Sequence, residues 1–128
     1  MPTPAELLRA ARAAQEHAYA PYSNFPVGAA LLAKSGEVFA GANVENASYP
    51  VSMCAERAAL SAAVSRGHRS FETLAIVGPP GAAISPCGSC RQALAEFGED
   101  LRIVREGRED VLLRELLPDA FHLERTGV

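Results

Sequence analysis

Cys54, Cys87 and Cys90 are the only cysteines in this 128-residue chain. They stand in two short motifs with none left over: Cys54-Ala55-Glu56, and Pro86-Cys87-Gly88-Ser89-Cys90. A structural zinc ion is closed by four protein ligands, whereas a catalytic zinc keeps one position open for water. Three thiolates leave that position open, and the Glu56 carboxylate stands close by in sequence to act on what fills it. The spacing also suits a reducing compartment better than a disulfide framework.

Cys87 and Cys90 are three residues apart, so a helix carries both on one face. Ser85 and Pro86 read as the N-cap and first helical residue, which puts Cys87 in the positive first turn, where the thiolate form is favoured. Ser52 reads as the cap of a second helix from Met53 through Val64, with Cys54 also in a first turn. Two helix ends would then face one metal. Glu56, two residues from Cys54, points to the far side of a regular helix and is a poor ligand. It reaches a metal-held water if the ion sits over the helix end, in the role of general acid and base.

Three thiolates and one Zn²⁺ sum to −1, which weakens the ion as a Lewis acid unless donors offset it. Arg57 is three residues after Cys54 and Arg91 four after Cys87, so both are candidates to donate to sulfur from the ligand-bearing faces.

A Cys-x-Glu motif followed by Pro-Cys-x-x-Cys is the signature of zinc-dependent base deaminases. The chain resembles, over nearly its whole length, the small homotetrameric cytidine deaminases that act on free nucleosides. The resemblance rests on Ala20-Pro21-Tyr22-Ser23-Asn24-Phe25, Val27-Gly28-Ala29-Ala30, Asn43-Val44-Glu45-Asn46, Cys54-Ala55-Glu56-Arg57, Pro86 to Gln92, and Leu116-Leu117-Pro118-Asp119-Ala120-Phe121. It implies one zinc per subunit on Cys54, Cys87 and Cys90, and a proton shuttle at Glu56. It implies conversion of cytidine and 2′-deoxycytidine to the uridines with release of ammonia, a step of pyrimidine salvage. Asn43 and Glu45 would bind ribose hydroxyls, and Phe25 would pack on the pyrimidine. The Ala55 N–H and the Ser85 carbonyl would contact the base, and Tyr49 and Phe121 would reach a neighbouring subunit's site. From the residues themselves, Asn43 and Glu45 alternate at a strand end and so point the same way, and an amide and a carboxylate suit hydroxyls. Without the resemblance they read as an ordinary polar strand end, and Phe25 and Phe121 as core. After Phe121 the sequence departs from the family pattern, with His122-Leu123-Glu124-Arg125 and a short tail.

The elements that must carry these residues follow from pattern. Thr3-Pro4-Ala5-Glu6 is a capping box with proline at the first helical position, opening a helix to about His17. Val27 to Ala33 and Val38 to Asn43 are apolar runs around Lys34-Ser35-Gly36-Glu37 and read as a hairpin. Leu74 to Val77 is a short buried strand ended by Pro79-Pro80-Gly81, and Leu101 to Val104 is a further strand. Asp110 is the expected cap of a short last helix that stops by Pro118. This order predicts an α/β fold: a three-layer α/β/α sandwich with a mixed central sheet of about five strands. Ala55, Ala58, Ala59, Ala62 and Ala63 permit close helix packing and are consistent with an oligomer.

The length suits a single domain over residues 1–128, and 48% hydrophobic with 21% charged residues is ordinary for a soluble globular chain. The first ten residues lack the pattern of a secretory signal and nothing reads as a membrane span, so the expected setting is cytoplasmic, with no membrane partner. A net charge of −3 without a basic run lacks the electrostatic footprint of a polynucleotide binder. Two other chemistries compete. One is a closed Cys₃His zinc site using His17, His68 or His122, but His68 sits in Arg66-Gly67-His68-Arg69, which reads as a solvated helix-end turn, and His17 and His122 have no ligand-like spacing to the cysteines. The other is a Cys87/Cys90 redox pair, which leaves Cys54 and Glu56 without a task. A relative acting on an aminonucleoside antibiotic would share the zinc chemistry, and the full Asn43-Val44-Glu45-Asn46 motif with Tyr49 argues for nucleosides instead.

Overall fold

The computed structural model describes residues 1–124; Arg125 and the rest of the tail lie outside the described residues. Helix α1 (Pro4–Gln15) opens with the expected capping box: Thr3 Oγ1 accepts from the Glu6 N–H, and Glu6 Oε1 accepts from the Thr3 N–H. Strands β1 (Gly28–Ala33) and β2 (Val38–Ala42) form the predicted antiparallel hairpin. Then come α2 (Ala55–Ser65), β3 (Phe71–Val77), α3 (Gly88–Ala95), β4 (Arg102–Arg105), β5 (Val111–Leu112) and α4 (Leu113–Leu116). The sheet order is β2-β1-β3-β4-β5, and the one parallel pair, β3 with β4, is bridged by α3.

Alternation along the strands builds three layers. Ala29 and Leu31 of β1, Leu74 and Ile76 of β3, and Ile103 of β4 face one core with Ala59 and Ala63 of α2 and Leu94 of α3. Ala30 and Leu32, Ala75 and Val77, and Val104 face the other with Leu7 and Ala11 of α1. Strands covered on both faces become continuous apolar runs, and β1 is buried at all six positions. Each fully buried leucine or isoleucine here stabilises the fold by about 1.5–3 kcal/mol. Gly41 of β2 lets α2 lie close on the sheet: a Cβ there would stand 2.6 Å from the Ala59 nitrogen and 2.7 Å from the Ala55 carbonyl oxygen.

The helix starts differ from the sequence reading. α2 opens at Ala55 rather than Met53, and α3 at Gly88 rather than Pro86. The two serines expected as caps are engaged elsewhere. Ser52 Oγ accepts from the Asn46 N–H at 3.0 Å, and Ser85 Oγ receives arginine side chains. Asp110 caps nothing; it pairs with Arg102 at 3.7 Å, and the Leu112 N–H before α4 donates to the Glu115 carboxylate instead. The two-residue β5 was not foreseen, being too short to show periodicity.

Candidate active site

The shift of two residues makes Cys54 and Cys87 the N-cap residues of α2 and α3, both with extended backbone and neither bonding its own helix through its side chain. Each thiol therefore stands at the positive end of a helix dipole, which at Cys87 favours the thiolate. Cys90 lies one turn inside α3 and is buried. The sulfurs of Cys54 and Cys87 are 3.8 Å apart and those of Cys87 and Cys90 3.3 Å, with all three within 4.8 Å of one another. Tetrahedral thiolates at a Zn–S distance of about 2.3 Å stand roughly 3.8 Å apart, so the cluster fits a zinc ion. Hydrogen bonds from the backbone and thiol of Cys90 and from Cys54 outweigh burial at Cys87 and lower its pKa. Burial, then the nearby Glu56 charge, pushes the Cys90 thiol far up. Such a set is at ease only with a cation among the sulfurs.

Glu56 is 4% exposed. Because Cys54 sits outside the helix, the opposite-face argument for residues two apart does not apply to this pair. Glu56, in the first turn of α2, lines the same cavity as Cys54 and Cys87. Burial raises its pKa, opposed by hydrogen bonds to its own backbone, the Cys90 side chain and the Cys87 backbone. The cavity, about 160 Å³, is lined by Val27, Asn43, Cys54, Ala55, Glu56, Ile76, Ile84, Ser85 and Cys87. Val27, Ile76 and Ile84, its apolar walls, were not singled out from sequence, where they read only as strand and loop residues. The first-turn N–H groups of α2, including that of Ala55, have no acceptor within the helix.

Arg57 donates Nη2 to Cys54 Sγ at 3.4 Å, and its bonds to Cys54 and Cys90 raise its pKa further. Arg91 does not follow the expectation. Its Nε goes to the Pro86 carbonyl at 2.7 Å, Nη1 to the Leu116 carbonyl at 2.9 Å, and Nη2 to Ser85 Oγ at 3.4 Å, because the guanidinium turns toward the loop and α4 rather than toward sulfur.

The other candidate residues are not gathered in that cavity. Asn43 lines it, with Oδ1 accepting from the Val27 N–H at 2.9 Å and Nδ2 donating to the Phe25 carbonyl at 3.0 Å. Glu45 lies in a neighbouring depression of about 280 Å³ with Tyr22, Ser23, Tyr49 and Ser52. It accepts from the Tyr22 and Ser23 N–H groups at 2.9 and 3.1 Å and from the Ser23 hydroxyl, and these bonds to Ser23 and Tyr22 lower its pKa. Asn43 and Glu45 thus pin the loop from Tyr22 to Val27. Phe25, Tyr49 and Phe121 are 40, 69 and 70% exposed, the Tyr49 ring meeting that of Tyr22 edge-on. Neither competing chemistry gains support. His68 bonds Glu37 and His122 bonds Glu99, and among the described residues the metal-ligand cluster holds cysteines alone.

The family model for the cytidine and deoxycytidylate deaminase zinc-binding region matches residues 1–105. A cytidine deaminase of Sporosarcina psychrophila is 45% identical over 124 residues, covering 93% of this chain and 91% of that one. This chain belongs to the cytidine deaminase family. Its fold agrees with solved members. The Burkholderia pseudomallei cytidine deaminase is 48% identical with a TM-score of 0.84, covering 94% of this chain and 100% of that one. The Mycobacterium tuberculosis cytidine deaminase is 46% identical with a TM-score of 0.84, covering 91 and 95%. Zinc is accordingly the metal that Cys54, Cys87 and Cys90 are positioned to bind in this member of the family.

Proposed function

We propose that the chain hydrolyses cytidine and 2′-deoxycytidine to uridine and 2′-deoxyuridine with release of ammonia. The observation that carries this reading is a buried glutamate opening into one small cavity with a three-cysteine cluster that fits zinc. Cys54, Cys87 and Cys90 would hold Zn²⁺, which would supply the Lewis acidity that makes water a stronger acid. Glu56, its pKa raised by burial, takes the proton of the attacking water. It returns protons to the ring nitrogen and to the departing amine as C4 exchanges nitrogen for oxygen. The Ala55 N–H and the Ser85 carbonyl are suited to orient the base, and Arg57 to moderate the charge on sulfur.

Asn43 and Glu45 carry the ribose reading, reaching the sugar from the segment after β2, beside the loop they anchor. Phe25 offers its ring to the pyrimidine. The exposure of Tyr49 and Phe121 on a single chain supports an oligomer in which these side chains complete a neighbour's site, and the resemblance makes it a homotetramer. The cytoplasmic setting without a membrane partner is part of this reading, and a net charge of −3 without a basic run supports the absence of a nucleic-acid partner; no helix among the described residues is long and apolar enough to cross a membrane.

Loss of the cytosine ultraviolet band, followed with cytidine, deoxycytidine, free cytosine and a cytosine oligonucleotide, tests the reading. The two nucleosides alone should react. Glu56→Gln should retain zinc and lose turnover by about 10²–10⁴-fold, the range of general acid–base catalysis. Near-normal turnover of zinc-loaded Glu56→Gln would refute the mechanism.

A further inference from the structure

The loop leading into Cys87 is held from behind by three arginines drawn from different parts of the chain. Arg91 of α3 bonds the Pro86 carbonyl and the Ser85 hydroxyl. Arg105, the last residue of β4, donates Nη1 to the same hydroxyl at 3.5 Å and Nη2 to the Glu109 carbonyl at 2.9 Å. Arg108, between β4 and β5, donates Nη1 to the Ile84 carbonyl at 3.3 Å. Three consecutive residues, Ile84, Ser85 and Pro86, are thus each gripped by a guanidinium, and Ile84 and Ser85 line the cavity that holds Glu56.

Arg105 is the unusual member. It is 6% exposed, its Nε is buried without a hydrogen-bond partner, and none of the three arginines forms an ion pair with a carboxylate among the described residues. Desolvation first, then Arg108 and Arg91, lowers its pKa. An apolar side chain of similar volume would fill the space without the cost of burying an unpaired charge. Such a side chain would not tie Ser85 to the β4–β5 turn.

We infer that Arg105 is a positioning residue for the substrate site: bracing Ser85 together with Arg91, while Arg108 holds Ile84, it fixes the segment that presents the Ser85 carbonyl to the base. The inference rests on the nucleoside reading above. The guanidinium fork reaches Ser85 and Glu109 together, a geometry lysine does not reproduce.

The test is steady-state kinetics on cytidine with Arg105→Met, alongside zinc content and thermal unfolding. Loosening a carbonyl that binds ground and transition states alike should raise KM about tenfold with kcat within about threefold, zinc content remaining at one per chain. A role confined to stability would lower the unfolding midpoint and leave the KM of the folded enzyme unmoved. Unchanged KM in folded, zinc-loaded Arg105→Met overturns the inference, as does full recovery of KM by Arg105→Lys, which would assign the effect to charge alone. Should Arg105→Met fail to fold, Arg108→Ala, altered at an exposed position, carries the test. A KM rise of at least about twofold supports the brace, since a lost hydrogen bond is worth about 0.5–1.5 kcal/mol, and an unchanged KM refutes it. Wild-type protein inert toward cytidine would overturn the functional reading itself, and is told apart by being seen before any variant is compared.

Discussion

Gly41→Ala should damage the metal site from the far side of α2. The added Cβ would meet the Ala59 nitrogen at 2.6 Å, the Ala55 carbonyl oxygen at 2.7 Å and the Ala58 Cβ at 2.9 Å, where ordinary contact begins at 3.4 Å. Two of these neighbours are backbone, so no rotamer change relieves them. The first turns of α2 must retreat from the sheet by about 0.8 Å, because a close-packed interior transmits the strain rather than absorbing it. Ala55 stands between Cys54 and Glu56, so the retreat falls on a member of the metal-ligand cluster and on the proposed proton carrier together. Overpacking of this kind costs about 1–3 kcal/mol, and a displacement near 1 Å costs about 10²-fold in rate. The assay is kcat/KM for cytidine with zinc per chain, beside thermal unfolding. Gly28→Ala is the comparison: its Cβ would lie 2.0 Å from the Ala11 carbonyl oxygen and 2.8 Å from the Gln15 nitrogen, against α1 on the opposite face of the sheet. It should lose at least as much stability while each folded molecule keeps its zinc and turnover. A Gly41→Ala protein that folds, holds full zinc and turns over normally would refute the reasoning.

Two further perturbations follow from the site. Arg57→Ala removes the donor to Cys54 and should weaken zinc affinity by about 10–100-fold, measured by competition with a chelator, while nucleoside binding persists; equal affinity would count against the role. Glu45 has its pKa lowered chiefly by Ser23, so its hold on the loop is present above the ordinary carboxylate pKa and is lost as pH falls through the depressed value. The protection factors of the Tyr22 and Ser23 amides should therefore fall on acidification in the wild type and be low at all pH values in Glu45→Gln, and a pH-independent protection ratio between the two would contradict it.

The three layers were legible because β1, β3 and β4 are apolar on both faces and α1 announces its start with a capping box. The three-cysteine cluster was legible because no cysteine is spare. What eluded sequence reasoning was competition for polar side chains. Ser52 and Ser85 have the chemistry of N-caps, but the Asn46 amide and the guanidiniums of Arg91 and Arg105 claim them, so the caps pass to the cysteines. The same cause hid Arg91, whose spacing from Cys87 pointed to sulfur while carbonyls of the loop and of α4 offered better acceptors. Arg105 gave no local signal toward the site, since Ser85 lies 20 residues before it and is brought near by the parallel pairing of β3 with β4.

Cys54 and Cys87 are 33 residues apart, with the whole of β3 between them. Joined through one ion, they form a removable cross-link that closes a loop of that length, comparable in chain entropy to a disulfide worth about 3–4 kcal/mol. The ion that equips the cavity for chemistry is also a staple between two helices on one face of the sheet. Metal supply and mechanical integrity are therefore one variable for this chain, and chelation should loosen the α2 and α3 layer before it disturbs α1 on the other side.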